Sequence, residues 1–396
     1  MFKPVRILQV AAAILLGGCA SSHTVSPYAQ TPPAVQTPQA APTPGPTQTT
    51  PAYPRRPASA SSGVNDFTDA QGRLKPDIQH YAQQVSQQRN LPLAHVQALL
   101  EDARYNAQAA TLMSPAKTRV RRSWVTYRAR FVEPVRIRAG VEFWTQHRAT
   151  LDKAAQQYGV PPSVIVAIIG VETIYGRYTG SFSVLDAIAT LAFHYPDRSR
   201  PERTQLFQDQ LADLIELDYR GKLDARQATG SFAGAMGLPQ FMPGSLMRYA
   251  VDGDGDDDID LGSSPEDAIM SVANFLIEHG WQPGLPVFAP VTLPADAKSL
   301  VHGGLEPVYD WEQLKTHGAT TTIASSGAAS ASSWTEHKLG VVDLVDEPRN
   351  QAEYRSGTPN FFAITHYNRS YFYAASVADL AKELASQMGY GGPDTP

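Results

Sequence analysis

The chain has 396 residues, 42% of them hydrophobic and 18% charged, with a formal net charge of −5. That length and apolar content can build more than one domain around a sizeable core, and the acidic balance excludes a dedicated nucleic-acid binder, which needs a basic face. A single cysteine, Cys19, excludes a disulfide framework and a cysteine-built zinc or iron–sulfur site, and no apolar run reaches the ~18 residues of a membrane-spanning helix.

Lys3 and Arg6 precede a short apolar run, Ile7–Leu16, which leads into Leu16-Gly17-Gly18-Cys19. A positive start, an apolar stretch and small residues read as a secretory signal over residues 1–18. The last four residues resemble a bacterial lipobox. That implies acylation of Cys19 and, with Ala20 in place of an inner-membrane-retaining Asp, an anchor on the periplasmic side of the outer membrane. An ordinary signal with an incidental cysteine is the competing reading. Residues 21–62 hold ten prolines, many Ser, Thr, Gln and Ala, and only Arg55 and Arg56 as charges. Such a composition buries too little apolar surface to fold, so 19–64 reads as a disordered, semi-rigid tether.

Order is predicted from about residue 65. Ile78, Tyr81 and Val85, then Val96, Leu99, Leu100 and Ala103, recur at helical spacing and predict an N-terminal α domain over 65–135. Leu151, Ala154, Ala155 and Tyr158 predict a helix stopped by Gly159, and Pro161-Pro162 opens the next. Its body, Val164–Ile169, is apolar on every face and predicts a buried central helix. Further helices are predicted at Val184–Ala192, Leu206–Leu223 and Pro265–His279, completing a core over 136–282. Short β-prone runs, Val287–Leu293 and Gly340–Leu344, lie among Pro and Gly and predict a small β-rich domain over 283–357, with a mobile Ser/Ala/Thr-rich loop near 319–335. Residues 358–396, with a helix around Ser376–Ser386, return to the core.

Glu172 ends the apolar helix in Gly170-Val171-Glu172-Thr173-Ile174-Tyr175-Gly176. Partial desolvation there raises a carboxyl's pKa, and a carboxyl still protonated near neutrality can serve as general acid in glycoside chemistry. A structural Glu bonded to nearby backbone is the alternative. A second cluster runs Gly230-Ser231-Phe232-Ala233-Gly234-Ala235-Met236-Gly237-Leu238-Pro239-Gln240-Phe241-Met242-Pro243. Its glycines allow close approach of a ligand or another backbone. Ser231 and Gln240 offer polar groups, and Phe232 and Phe241 offer faces for sugar stacking; a tight loop packed on the core is the other reading. Asp252, Asp254, Asp256, Asp258 and Asp260 fall at alternate positions, with Ile259 at the eighth place of an EF-hand-like loop. Carboxylates so spaced repel unless a cation sits among them, and a many-ligand oxygen site favours calcium over magnesium. Asp257 holds the sixth place, where Gly is usual, and Ser263 holds the twelfth instead of Glu.

These residues carry a resemblance. Gly-Val-Glu-Thr-x-Tyr-Gly, Val184–Ala192, the Gly230–Pro243 cluster, Tyr249–Asp252 with its acidic loop, Asp267-Ala268-Ile269, Ser271–Phe275, Gly280-Trp281, Pro359–Phe362 and Tyr367-Asn368 resemble, in order, the lytic murein transglycosylase B family. The resemblance spans about 66–390 and implies a mainly α fold: a lysozyme-like helical core, a flanking α domain and a small β-rich domain. It implies that Glu172 is the single catalytic acid and base, and that Ser231, Gln240, Tyr175, Tyr367, Asn368 and Tyr373 line the glycan cleft. It also implies that Asp267 supplies the carboxylate closing a calcium loop over 252–267. The implied reaction cuts the β-1,4 bond between N-acetylmuramic acid and N-acetylglucosamine in peptidoglycan and leaves 1,6-anhydromuramic ends. One departure stands out: Asp197–Arg203, after His194-Tyr195-Pro196, is several residues longer than the family pattern of paired arginines. That leaves open which arginine meets substrate. A non-catalytic peptidoglycan-binding scaffold lipoprotein and a hydrolytic muramidase are the alternatives; the muramidase would need a second carboxylate that no motif supplies.

Overall fold

The computed structural model describes residues 65–116, 118–321 and 334–390. Cys19, the tether and most of the Ser/Ala/Thr-rich stretch lie outside them. The architecture is mainly helical. Helices α1 (Pro76–Arg89), α2 (Leu93–Asp102) and α3 (Ala107–Met113) open it, followed by the short α4 (Trp124–Arg128). Next come α5 (Pro134–Gln146), α6 (Arg148–Tyr158) and α7 (Pro162–Thr173). Gly159 closes α6 in the left-handed region, and Pro162 sits in the first turn of α7, where a missing N–H costs nothing. Every residue from Ser163 to Val171 is buried, so α7 is the axis of the core.

After α7, the two-residue strand β1 (Phe182–Ser183) leads into α8 (Val184–Phe193) and α9 (Pro201–Tyr219), and β2 (Thr229–Gly230) pairs antiparallel with β1. Helix α9 starts five residues before its predicted first residue because Pro201 can open it, and it stops short of Leu223 at the left-handed Gly221. Then come α10 (Pro243–Tyr249) and α11 (Pro265–Glu278). The following segment holds β3 (Val291–Thr292), α12 (Trp311–Thr316), β4 (Thr320–Thr321), β5 (Gly340–Asp346) and β6 (Gln351–Gly357). Strands β3–β4 and β5–β6 form separate antiparallel pairs. Finally α13 (Pro359–Thr365) and α14 (Tyr371–Gln387) return to the core, where α14 lies along α7.

Two hydrophobic clusters organise these elements. The main one runs from Phe67 to Leu384, and a smaller one gathers Ala289, Leu300, Trp311, Leu314, Ala319, Leu339 and Val341. Strand β5 serves both: Val342 and Leu344 face the main cluster and Val341 the smaller one, following the two-residue period of a strand. The segment 65–135 is not one layer. Helices α1–α3 pack on α8 and α9, whereas α4 leaves them and packs on α14 and β5. The helical periodicity of 78–103 gave no hint of that division, because α4 is only five residues long.

Candidate active site

Glu172 is the penultimate residue of α7. The helix ends sharply: Ile174 and Tyr175 both take positive φ, 50° and 57°, a strained choice for a β-branched and an aromatic side chain. Thr173 fixes that end. Its hydroxyl donates to the Leu238 carbonyl at 2.9 Å and accepts from the Gly176 amide at 3.0 Å, joining the helix end to the Gly230–Pro243 loop.

Glu172 is half-buried, and the protein packed around its carboxyl withholds much of its hydration. Burial lifts its pKa from 4.5 to about 7, against the pull of a hydrogen bond from Tyr373, whose Oη donates to Glu172 Oε1 at 2.6 Å. Tyr373 is in the first turn of α14 and buried, and the N-cap Ser370 directs that turn through the Tyr373 amide. Tyr367 stacks on Tyr373 with ring centroids 6.3 Å apart. Burial, and then the Glu172 charge, push the Tyr367 and Tyr373 hydroxyls far above their usual range. Tyr127 on α4 joins this group: burial and the Glu172 charge push it up to about 12, with Arg130 opposing. Sequence reasoning passed over Tyr127. The available signal was an N-cap Ser123 followed by Trp124 and Tyr127, three apart on one helical face.

The Gly230–Pro243 loop is held by its own polar groups. The Ser231 hydroxyl accepts from the amides of Ala233 (3.3 Å) and Ala235 (3.0 Å). Gln240, at φ 51°, donates its side-chain amide to the carbonyls of Thr179 and Gly237, each at 3.0 Å. Gly237, at φ 70°, lies so close to the Leu261 carbonyl that any Cβ would collide with it.

Several residues sit differently from their sequence reading. Phe232 and Phe241 are 6% and 2% exposed, Phe232 edge-on to Phe182 and Phe241 against Phe275 and Tyr367, so neither offers a face to a sugar. Tyr175 stacks on Phe143, and its hydroxyl lies buried against Gly140 and Gly170, in the seam between α5 and α7, instead of facing the cleft. Asn368 is half-buried in the turn before α14. Arg198 is exposed and lines a cavity of about 530 Å³ at the α8–α9 junction; no residue of the Glu172 group lines it.

In the acidic loop, one carboxylate oxygen from each of Asp252, Asp254 and Asp256 lies within 4.8 Å of the other two. Backbone amides, Gly255 first, hold Asp252 below the usual carboxylate range, and Asp257 takes the left-handed conformation at φ 71°. Hard oxygen donors gathered in this way suit a divalent cation such as calcium. Asp258 does not join the trio, and Asp267 is buried with its two oxygens accepting from the amides of Gly253 and Asp260, both at 2.7 Å. Asp267 therefore closes the loop through the backbone.

The comparison with known proteins decides the family. Residues 73–382 match the Transglycosylase SLT domain model. The chain belongs to this SLT transglycosylase family. It is 38% identical over 263 residues to the membrane-bound lytic murein transglycosylase B of Escherichia coli (strain K12), spanning 66% of this chain and 68% of that protein. The crystal structure of the soluble lytic transglycosylase SltB1 from Pseudomonas aeruginosa aligns over 79% of this chain and all of that one, at 37% identity and a TM-score of 0.69. Escherichia coli Slt35, solved in complex with calcium, aligns over 79% of this chain and 93% of that one, at 34% identity and a TM-score of 0.66. The fold implied by the resemblance to the lytic murein transglycosylase B family, mainly α with a lysozyme-like core, is the fold of this chain.

The raised carboxyl has a signature in stability. Folded, Glu172 keeps its proton up to about pH 7; unfolded, it loses it near 4.5. Its contribution is thus fully present below about 4.5, declines through that window and is lost above about 7, a difference of roughly 3 kcal/mol. Glu172→Gln removes the titration. Urea unfolding should find that variant more stable than the parent by up to roughly 3 kcal/mol in mildly alkaline buffer and unchanged near pH 4. An equal difference at both pH values would contradict the burial of this carboxyl.

Proposed function

We propose that in this peptidoglycan lytic transglycosylase Glu172 works first as acid and then as base. The observation that carries this is the Glu172 carboxyl, desolvated by its surroundings, hydrogen-bonded to Tyr373 and poised near neutrality. No motif of the sequence supplies a second carboxylate to partner Glu172, which favours a single acid and base over the two-carboxylate scheme of ordinary glycosidases. Protonated Glu172 gives its proton to the glycosidic oxygen as the β-1,4 bond breaks. The substrate's own acetamido group stabilises the cation at the muramic C1. The resulting carboxylate takes the proton of the C6 hydroxyl, whose oxygen bonds to C1, leaving a 1,6-anhydro ring and a reprotonated Glu172. Tyr373 holds Oε1 throughout, so the other oxygen is left to the substrate.

Digested sacculi analysed by mass spectrometry test this reading. The enzyme should release muropeptides lighter by one water than muramidase products, with turnover falling as pH rises above about 7. Glu172→Gln should fold and lose at least about 100-fold in rate. Products with ordinary reducing ends would make the protein a hydrolase, and near-normal turnover by Glu172→Gln would move the acid elsewhere.

The acidic loop is proposed to bind calcium through Asp252, Asp254 and Asp256, with Asp267 as the buried closure; the convergence of the three carboxylates supports this, as does calcium in the related Slt35 structure. Calcium should raise the melting temperature, the stabilisation reaching about 3 kcal/mol at a hundredfold excess over Kd. The double variant Asp252→Asn, Asp256→Asn should melt identically with calcium and with chelator. A parent protein indifferent to calcium would refute the site.

Anchoring to the membrane through acylated Cys19 is proposed from the lipobox-like Leu16–Cys19 and from the membrane-bound relative. Cell fractionation checks it: Cys19→Ser should leave the membrane fraction, and unchanged membrane binding would exclude the anchor.

A further inference from the structure

Arg136, in the first turn of α5, is 7% exposed, an expensive place for a permanent cation. Its ionic partner Glu133 is 3.4 Å away and already caps α5, accepting from the amides of Val135 and Arg136 at 2.7 Å each. The guanidinium spends its other bonds on backbone. Nε donates to the Gly170 carbonyl at 2.8 Å, and Nη1 donates to the carbonyls of Arg130 at 2.6 Å and Phe131 at 3.3 Å, while the Phe131 ring lies 5.4 Å from the guanidinium carbon.

Those carbonyls belong to the two walls of the Glu172 group. Gly170 is two residues before Glu172, and its carbonyl also accepts from the Ile174 amide at 3.2 Å, the bond that ends α7. A cation at a helix C-terminus is favourable, and here it fixes the last turn. Arg130 and Phe131 lie just past Ala129, the C-cap of α4, the helix whose Tyr127 feels the charge of Glu172. An apolar side chain of similar volume would pack in this space but could not tie these two backbones together.

We infer that Arg136 is a positioning residue for the reaction: its single guanidinium bolts the α7 end that presents Glu172 to the α4 segment that presents Tyr127, and so keeps the carboxyl aligned and dry. This rests on the reading of Glu172 as the acid. The test uses the full chain as parent, Arg136→Ala, Arg136→Lys and Glu172→Gln, with folded fraction measured by circular dichroism and turnover followed on sacculi across the ionisation of Glu172. Arg136→Ala should lose about 100-fold in kcat with KM changed less than about threefold. Its alkaline limb should move toward acid by about one pH unit as water reaches the carboxyl. Ethylguanidinium should restore part of the rate to Arg136→Ala and none to Arg136→Lys, whose ammonium fills the space without the fork. Should the Ala variant fail to fold, the Lys variant carries the same two readings of rate and limb. An alkaline limb that stays in place, beside an inactive Glu172→Gln, overturns this inference alone. Full turnover by Glu172→Gln overturns the acid assignment and this inference with it.

Discussion

The site depends on one conflict: a carboxyl held where water is scarce, against its preference for ionising. Burial raises the Glu172 pKa and the Tyr373 hydrogen bond lowers it, and the balance falls near neutrality. Much of the surrounding structure maintains that balance. Helix α7 must be buried on every side to deliver the carboxyl, α14 must lie along it to bring Tyr373, and α7 must stop at once, which places Ile174 and Tyr175 in a backbone region their side chains disfavour. Local strain at the helix end is the structural counterpart of a chemically useful pKa.

The acidic loop is governed by a different use of carboxylates. Around Glu172 burial pushes one carboxyl toward its protonated form; in the loop Asp252, Asp254 and Asp256 crowd together near the surface, and backbone amides hold Asp252 below the usual carboxylate range. Asp267 lies between these extremes, buried yet satisfied by two amide donors, so it needs no cation to be stable where it is.

What was legible in advance followed local rules. The uninterrupted apolar run 164–169, the flanking Pro162 and Gly159, and a carboxylate directly after the run pointed to a buried helix delivering an acid, because period and capping act over a few residues. What was not legible depended on distant packing. Nothing in the spacing of Phe232 tells that Phe182 comes to cover it, nor that Tyr175 turns away from the cleft into the seam beside Gly140 and Gly170. Tyr127 left only a faint trace, an N-cap Ser123 and the Trp124–Tyr127 pair, because a five-residue helix is too short to show a period. Arg136 was hidden for another reason: its partners are backbone carbonyls, which every residue supplies, so no motif records them.

Strand β5 has a consequence for how the molecule comes apart. Val341 belongs to the small cluster, while Val342 and Leu344 belong to the large one, so a single strand is a wall common to both. Opening the small cluster strips cover from the large one, and loosening the large one removes the floor of the small. Two cores in space thus share one wall, so a substitution at Val341 acts on the same strand through which Val342 and Leu344 reach the core that holds the Glu172 helix.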